Sequence, residues 1–133
     1  MSGGTGARVA TLVISAFVGL VYGALGTIGH RHTIVIGDVA IPWGLIAALV
    51  GVACLVVGLR IIVGRWAAAA AGLGVITAVG LLSLPGFGGS VLIVGDLLGT
   101  VWAVGPALIV VLVIAWPNLS TLRRTTTPAA AGA

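Results

Sequence analysis

The side chains that could do chemistry are few. The chain of 133 residues holds two His, two Asp, one Cys and six Arg, with no Lys, Glu or Gln. His30, Arg31 and His32 form one polar cluster, and Asp38 and Asp96 are the two carboxylates. Imidazole and carboxylate groups can bind a metal ion, transfer protons or contact a polar partner. These five residues are therefore candidates for contacts on one face of the molecule, which the distribution of arginines makes the external face.

The spacing of the two histidines argues against a metal site. Side chains at i and i+2 of an extended chain point to opposite faces, so His30 and His32 are poorly placed to hold one ion. Asp38 is the one further ligand nearby in the sequence. We therefore predict exposed histidines at a membrane interface, where they contact a head group or a partner. We predict no metal, no cofactor and no catalytic residue.

Each aspartate follows a glycine and precedes an apolar run. Asp is a favourable N-cap residue, because its carboxylate accepts hydrogen bonds from the free N–H groups of the first helical turn. We interpret Asp38 and Asp96 as residues that begin the next helix, with substrate or ion binding as the alternative. A Gly-Asp turn between Ile36 and Val39 could also make a two-residue hairpin. Short extended segments at the outer interface are the favoured interpretation.

The composition requires lipid as the main solvent. The chain is 60% hydrophobic and 6% charged, whereas soluble domains carry about 25% charged residues. A membrane helix needs about 20 mostly apolar residues, and such stretches lie at 9–29, 41–63, 66–84 and 97–116. The sequence predicts an all-α bundle of four transmembrane helices over residues 9–116. It predicts disordered cytoplasmic tails at 1–8 and 117–133.

Arginine placement predicts the orientation of the bundle. One side carries Arg31 alone, and the other carries Arg8, Arg60, Arg65, Arg123 and Arg124. Because positively charged loops stay in the cytoplasm, both termini should be cytoplasmic in the plasma membrane. The arginines lie at helix ends rather than on one face, which argues against nucleic-acid binding.

The two halves of the chain partly match each other. Shifted by 58 residues, the segment 34–38 aligns with 92–96, Arg65 aligns with Arg123, and Trp43 falls one position from Trp102. Two similar helical hairpins with parallel topology would give this pattern. Chance or shared topology is the alternative explanation.

Small residues recur at spacings that favour close helix packing. The chain has 22 glycines, and small residues let helix backbones approach each other in lipid. Packing within the monomer is the favoured interpretation, and packing against another protein is the alternative. The predicted packing residues are Gly19, Gly23, Gly44, Gly51, Gly58, Gly95 and Gly99.

Three features belong together as a layout: an arginine that opens the first helix, Arg8; a Pro-containing external loop over 84–96; and Trp102 in the last helix. This layout resembles an uncharacterised family of small four-span integral membrane proteins of actinobacteria. The resemblance covers residues 8–117. It implies a gene often encoded near the deacetylase of mycothiol synthesis, and it implies no catalytic residue.

No span carries an ionisable residue near its middle, whereas ion-coupled transporters usually place one inside the bundle. We therefore predict a non-catalytic accessory or stabilising subunit of a larger membrane complex. Its partners would be lipids and another integral membrane protein or a second copy. The alternative is a small oligomeric transporter or channel that uses Asp38, Asp96 and a kink at Pro106. An enzyme is not predicted, because two histidines and two aspartates are too few groups for a catalytic site.

Overall fold

In a computed structural model, residues 3–86 and 95–117 are described, and they form helices joined in part by a small β-hairpin. Helix α1 spans Gly3–Gly29, and helices α2, α3 and α4 span Trp43–Ile62, Arg65–Ser83 and Leu97–Ala115. Strands β1 and β2 span Ile34–Ile36 and Val39–Ile41. The four helices are all long and apolar enough to cross a membrane. The predicted fold, a four-helix multi-pass membrane protein, is confirmed.

The bundle has two ends with different contents. One end, which we name the hairpin face, holds the end of α1, the β-hairpin and the start of α4. An ion pair between Arg31 and Asp96 joins the end of α1 to the start of α4. The terminal face holds the start of α1, the end of α4 and the turn between α2 and α3 at Gly64. The φ of Gly64 is +135°, a backbone conformation that residues with a Cβ rarely adopt.

Helix α1 begins at Gly3, well before the predicted Val9. The prediction that residues 1–8 are disordered is therefore wrong for Gly3 to Arg8. A helix formed in an apolar span can extend outward, because each further residue adds one backbone hydrogen bond. The other helix ends lie within the roughly two residues by which such boundaries ordinarily vary. Of the predicted tail at 117–133, all but the first residue lies outside the described residues.

The most extensive helix contact joins α1 to α3, and glycines make it possible. A Cβ added at Gly23 would lie 2.8 Å from the carbonyl oxygen of Val75. A Cβ at Gly19 would overlap the backbone of Ala71, and one at Gly74 would overlap the backbone of Ala16. Such close approach lets dispersion forces stabilise a helix pair in lipid, where the hydrophobic effect does not act between helices.

Small and β-branched side chains fill the rest of the core around one indole. Val52 and Val56 of α2, Ala68 and Val75 of α3, and Trp102 of α4 are all fully buried. Helix α2 contacts both α3 and α4. In the predicted repeat, α3 is the counterpart of α1 and α4 is the counterpart of α2, and both pairs of counterparts are in contact. That the two halves arose by duplication stays a prediction.

The predicted packing glycines fall into two groups. The first group lies where a Cβ would overlap a neighbouring element: Gly19, Gly23, Gly44 and Gly51. A Cβ at Gly58 or Gly95 would meet no described atom within 4 Å, and Gly99 is buried in the first turn of α4. Contacts of the first kind also occur at glycines that spacing did not indicate, namely Gly26, Gly72, Gly74 and Gly105.

Candidate functional site

The His-Arg-His segment lies at the hairpin face and joins α1 to α2. The backbone N–H of His30 donates to the Gly26 carbonyl at 2.8 Å, which continues the helical pattern past Gly29. The N–H of Gly44 in α2 donates to the His32 carbonyl at 3.0 Å. The segment is therefore fixed at both ends by backbone hydrogen bonds and is not an extended strand.

His30 is fully buried, so the prediction of an exposed interfacial side chain is wrong for this residue. Its ring stacks on the indole of Trp102, with centroids 5.8 Å apart and planes 10° apart. Its Nδ1 lies 2.6 Å from the carbonyl oxygen of Thr27. Because a carbonyl only accepts hydrogen bonds, Nδ1 carries a proton. The buried Nε2 makes no hydrogen bond within the described residues.

Thr27 connects this cluster to α4. Its hydroxyl donates to the Gly23 carbonyl at 2.8 Å and accepts from the indole Nε1–H of Trp102 at 3.0 Å. Gly26 makes room for the indole, since a Cβ there would lie 2.7 Å from the Cζ2 of Trp102. We name Thr27, His30 and Trp102 the buried polar cluster, which fastens the end of α1 to the first half of α4.

His32 has the opposite environment. Its side chain is exposed, and its Nδ1 lies 3.0 Å from the Gly29 carbonyl oxygen. The ring centroids of His32 and Trp43 are 6.2 Å apart, and the ring planes are inclined by 60°. His30 and His32 therefore contact different tryptophans, one on α4 and one on α2. Within residues 3–86 and 95–117, no three His, Cys, Asp or Glu side chains come close enough to bind one metal ion.

Asp96 caps α4 as its position before the apolar run indicated. Its carboxylate accepts the N–H of Gly99 at 2.8 Å and pairs with the Arg31 guanidinium at 3.0 Å. The hydrogen bond from Gly99 lowers the pKa of Asp96 most, partial desolvation opposes it, and Arg31 lowers the pKa further. The residue thus begins the helix and joins α4 to the end of α1 at the exposed rim of the bundle.

We expect acid to destabilise the protein through Asp96. A folded-state pKa below the unfolded value means that the ionised carboxylate contributes stability above the unfolded pKa, and that this contribution is lost as the pH falls through the folded pKa. Asp96→Ala should melt below the natural protein near neutral pH, and the gap should close as the pH falls through the lowered pKa of Asp96. Melting in detergent, followed by tryptophan fluorescence, measures this.

Asp96→Asn is the matched variant, because Asn can still cap a helix but cannot form the ion pair. Its melting temperature should lie between those of the alanine variant and the natural protein. A gap between Asp96→Ala and the natural protein that does not change with pH would contradict the assignment.

Asp38 does not begin a helix, so the capping interpretation is wrong for this residue. It lies in the two-residue turn of a β-hairpin, after Gly37 with φ +64°. The first helical turn of α2 comes after Pro42, and no side chain caps it. The hairpin alternative is therefore the one observed, because Gly37 supplies the left-handed conformation that such turns require. The matched Gly-Asp pairs of the predicted repeat have different local structures.

The β-hairpin presents apolar side chains to its surroundings. Its strands are antiparallel, with Ile34 opposite Ile41 and Ile36 opposite Val39. Every residue of both strands is exposed, including Val35 at 67% and Ile36 at 65%. Successive side chains of a strand point to opposite faces, so both faces of this small sheet are apolar and uncovered.

Comparisons with protein-family models, with curated proteins and with solved structures find no match to this chain.

Sequence spacing held one unused signal for the buried polar cluster. Gly19, Gly23, Thr27 and His30 recur at intervals of three and four, the period of one helix face. An extended conformation of residues 30–32 would not continue this stripe as far as His30. Trp102 gave no comparable signal as a partner, because the contact between α1 and α4 joins distant parts of the chain.

Proposed function

We propose that this chain is a non-catalytic accessory subunit of the cell membrane, which binds another integral membrane protein through its exposed β-hairpin. The observation that carries the proposal is the uncovered apolar sheet at Ile34–Ile36 and Val39–Ile41. The excess of arginines on the terminal side of the sequence supports a cytoplasmic position for both termini. The hairpin then lies on the external side.

Water is an unfavourable environment for this hairpin. A hairpin that rests on a membrane surface normally has one apolar and one polar face. Here the Val35 side chain lies on one face, and Ile36 and Val39 lie on the other. Exposed apolar area raises the free energy in water by about 25 cal/mol per Å².

Lipid is unfavourable for a different reason. The two strands pair only with each other among the described residues, so each has one open edge. Unpaired backbone N–H and C=O groups cost several kcal/mol each in hydrocarbon, and lipid-exposed sheet edges are not found there. A protein partner satisfies both requirements, because it can cover the apolar faces and hydrogen-bond to an open strand edge.

The partner that fits is therefore an integral membrane protein with an apolar surface and an accessible strand or extended segment near the external interface. The packing glycines of α1 do not provide the partner surface. They already face α3 within the monomer, so they are not free to bind a partner. The hairpin, whose apolar faces and strand edges are both uncovered, is therefore the surface that we assign to the partner.

A charged side chain in the hairpin should greatly reduce the amount of complex with the membrane partner. We expect Ile36→Lys to reduce the amount of complex at least roughly tenfold, because an unpaired ammonium group would be buried at the contact. Ile61→Lys is the matched control: Ile61 is 78% exposed, but it lies beside Arg60 at the terminal face, where a lysine can reach the head groups.

The measurement is site-specific photo-crosslinking from Val35 in native membranes, with the product separated from the free chain and its two components identified. Support requires a discrete adduct with one other membrane protein that Ile36→Lys removes and Ile61→Lys keeps. Adducts with lipid alone, or with a second copy of this chain alone, would refute an accessory role.

A small oligomeric transporter or channel is the second candidate, and one observation favours it. The Nε2 of His30 is buried without a hydrogen-bond partner among the described residues, so it can accept a hydrogen bond from a transported solute. The features first offered for transport weigh less, because Asp38 lies in a turn and Asp96 caps α4. Pro106 is buried within α4. The uncovered apolar hairpin supports the accessory role more strongly than these features support transport.

A further inference from the structure

A groove at the terminal face combines positive charge with apolar walls. It has a volume of about 540 Å³ and lies between the first turns of α1 and the start of α3. Arg8, Thr5 and Thr11 line it from α1, and Arg65 and Trp66 line it from α3. We name this site the terminal groove. Val9 and Leu12 of α1 provide its apolar wall.

No carboxylate side chain of the protein can neutralise the two arginines of this groove. The only acidic residues in the sequence are Asp38 and Asp96, and both lie at the hairpin face. Within the described residues, Arg8 and Arg65 make no ion pair or side-chain hydrogen bond. Arg60 differs, because its guanidinium donates to the carbonyl oxygen of Trp116. Among the residues that the structure describes, the terminal groove therefore holds two cations without an anion.

The backbone adds to this positive potential. Helix α3 starts immediately after Gly64 and has no side-chain cap. Its first N–H groups lack partners within the helix, and the helix dipole places partial positive charge there. Because Gly64 and Arg65 both line the groove, this partial positive charge adds to that of the two guanidinium groups.

The position of the groove favours a lipid as its ligand. Arg8 precedes the apolar part of α1, and Arg65 precedes that of α3, so both lie at the level of the head groups. Trp66 is 71% exposed beside them, and tryptophan is enriched at that level of a membrane. Basic pockets between transmembrane helices bind anionic head groups, and arginine binds phosphate through two parallel hydrogen bonds.

We infer that the terminal groove is a binding site for the phosphate head group of an anionic phospholipid, with Arg8 and Arg65 as its ligands. The acyl chains would run along the apolar surface formed by Val9 and Leu12. The site is at the opposite end of the bundle from the β-hairpin, so it does not rest on the proposed accessory role.

Native mass spectrometry of the full-length protein tests this inference. Purified protein in detergent is mixed with dioleoyl phosphatidylglycerol or with dioleoyl phosphatidylcholine, which share acyl chains and differ in head-group charge. We expect the protein to retain phosphatidylglycerol preferentially. Arg8→Gln combined with Arg65→Gln should lower that retention roughly tenfold or more, since two charge-assisted contacts are lost.

The control removes the same charge elsewhere in the chain. Arg123→Gln combined with Arg124→Gln should leave retention of phosphatidylglycerol unchanged, and size-exclusion chromatography checks that all variants remain folded. Equal retention of the two lipids, or an equal loss in both double variants, would overturn the site. Displacement of the lipid by millimolar inorganic phosphate would assign the groove to free phosphate and overturn the lipid as its ligand.

Discussion

Replacing Trp102 with alanine should lower the free energy of unfolding by about 3 to 5 kcal/mol, the range for large aromatic side chains in a core. Trp102 is fully buried, and its loss would leave a cavity between α1 and α4. It would also leave the buried Thr27 hydroxyl without its donor and remove the ring on which His30 stacks. Reversible unfolding in mixed micelles, with helix content followed by circular dichroism, measures the change.

Two companion variants separate the contributions of this side chain. Trp102→Phe keeps an aromatic ring but lacks the Nε1–H, so it should cost less than the alanine variant. Trp116→Ala removes an indole that is 66% exposed and should change stability little. Equal effects of Trp102→Ala and Trp116→Ala would show that the buried polar cluster does not hold α1 to α4.

The four helices were predictable from the sequence because the requirement is local. Each needs only a long apolar stretch, and hydropathy measures that directly. The cap at Asp96 was predictable for the same reason, since a helix start depends on a few neighbouring residues. The early start of α1 was missed because Gly3 to Arg8 is polar and glycine-rich, and propensity alone does not favour a helix there.

The error at Asp38 has a local physical origin. Gly37-Asp38 and Gly95-Asp96 have the same residue types and similar flanking residues, but only the first forms a hairpin turn. The residues on the C-terminal side of each pair make the difference. Pro42 lies between β2 and the start of α2, whereas α4 begins directly after Asp96. Sequence similarity between the halves suggested equal structures where the flanking chain dictates different ones.

The spacing of residues on α1 indicates only the face on which His30 lies, and its burial depends on a residue far along the chain. Its environment consists of Thr27 on its own helix and Trp102, far along the chain. The same limit applied to the glycines: spacing identified Gly19 and Gly23 but also Gly58, where a Cβ meets open space. A small residue tells which helix face allows close approach, and only the tertiary structure tells whether another helix uses that face.

Gly19→Ala should be strongly destabilising, although it adds a single methyl group. The new Cβ would overlap the carbonyl carbon and oxygen of Ala71. These are backbone atoms of α3 and cannot rotate away as a flexible side chain does. The two helices must therefore move apart along their most extensive contact, which also involves Gly23 and Gly74. We expect a loss of about 3 kcal/mol, the upper end of the usual range for an overpacked core.

Gly58→Ala makes the same chemical change on α2, where the added Cβ meets no described atom within 4 Å. Alanine is favoured over glycine within a helix by up to about 1 kcal/mol, so this variant should be neutral or slightly stabilising. In the same unfolding assay, only Gly19→Ala is thus expected to be strongly destabilising. If Gly19→Ala were as stable as Gly58→Ala, α1 and α3 could not be in backbone contact at this position. The glycines of α1 would then be free to bind a partner and would compete with the β-hairpin as the binding surface.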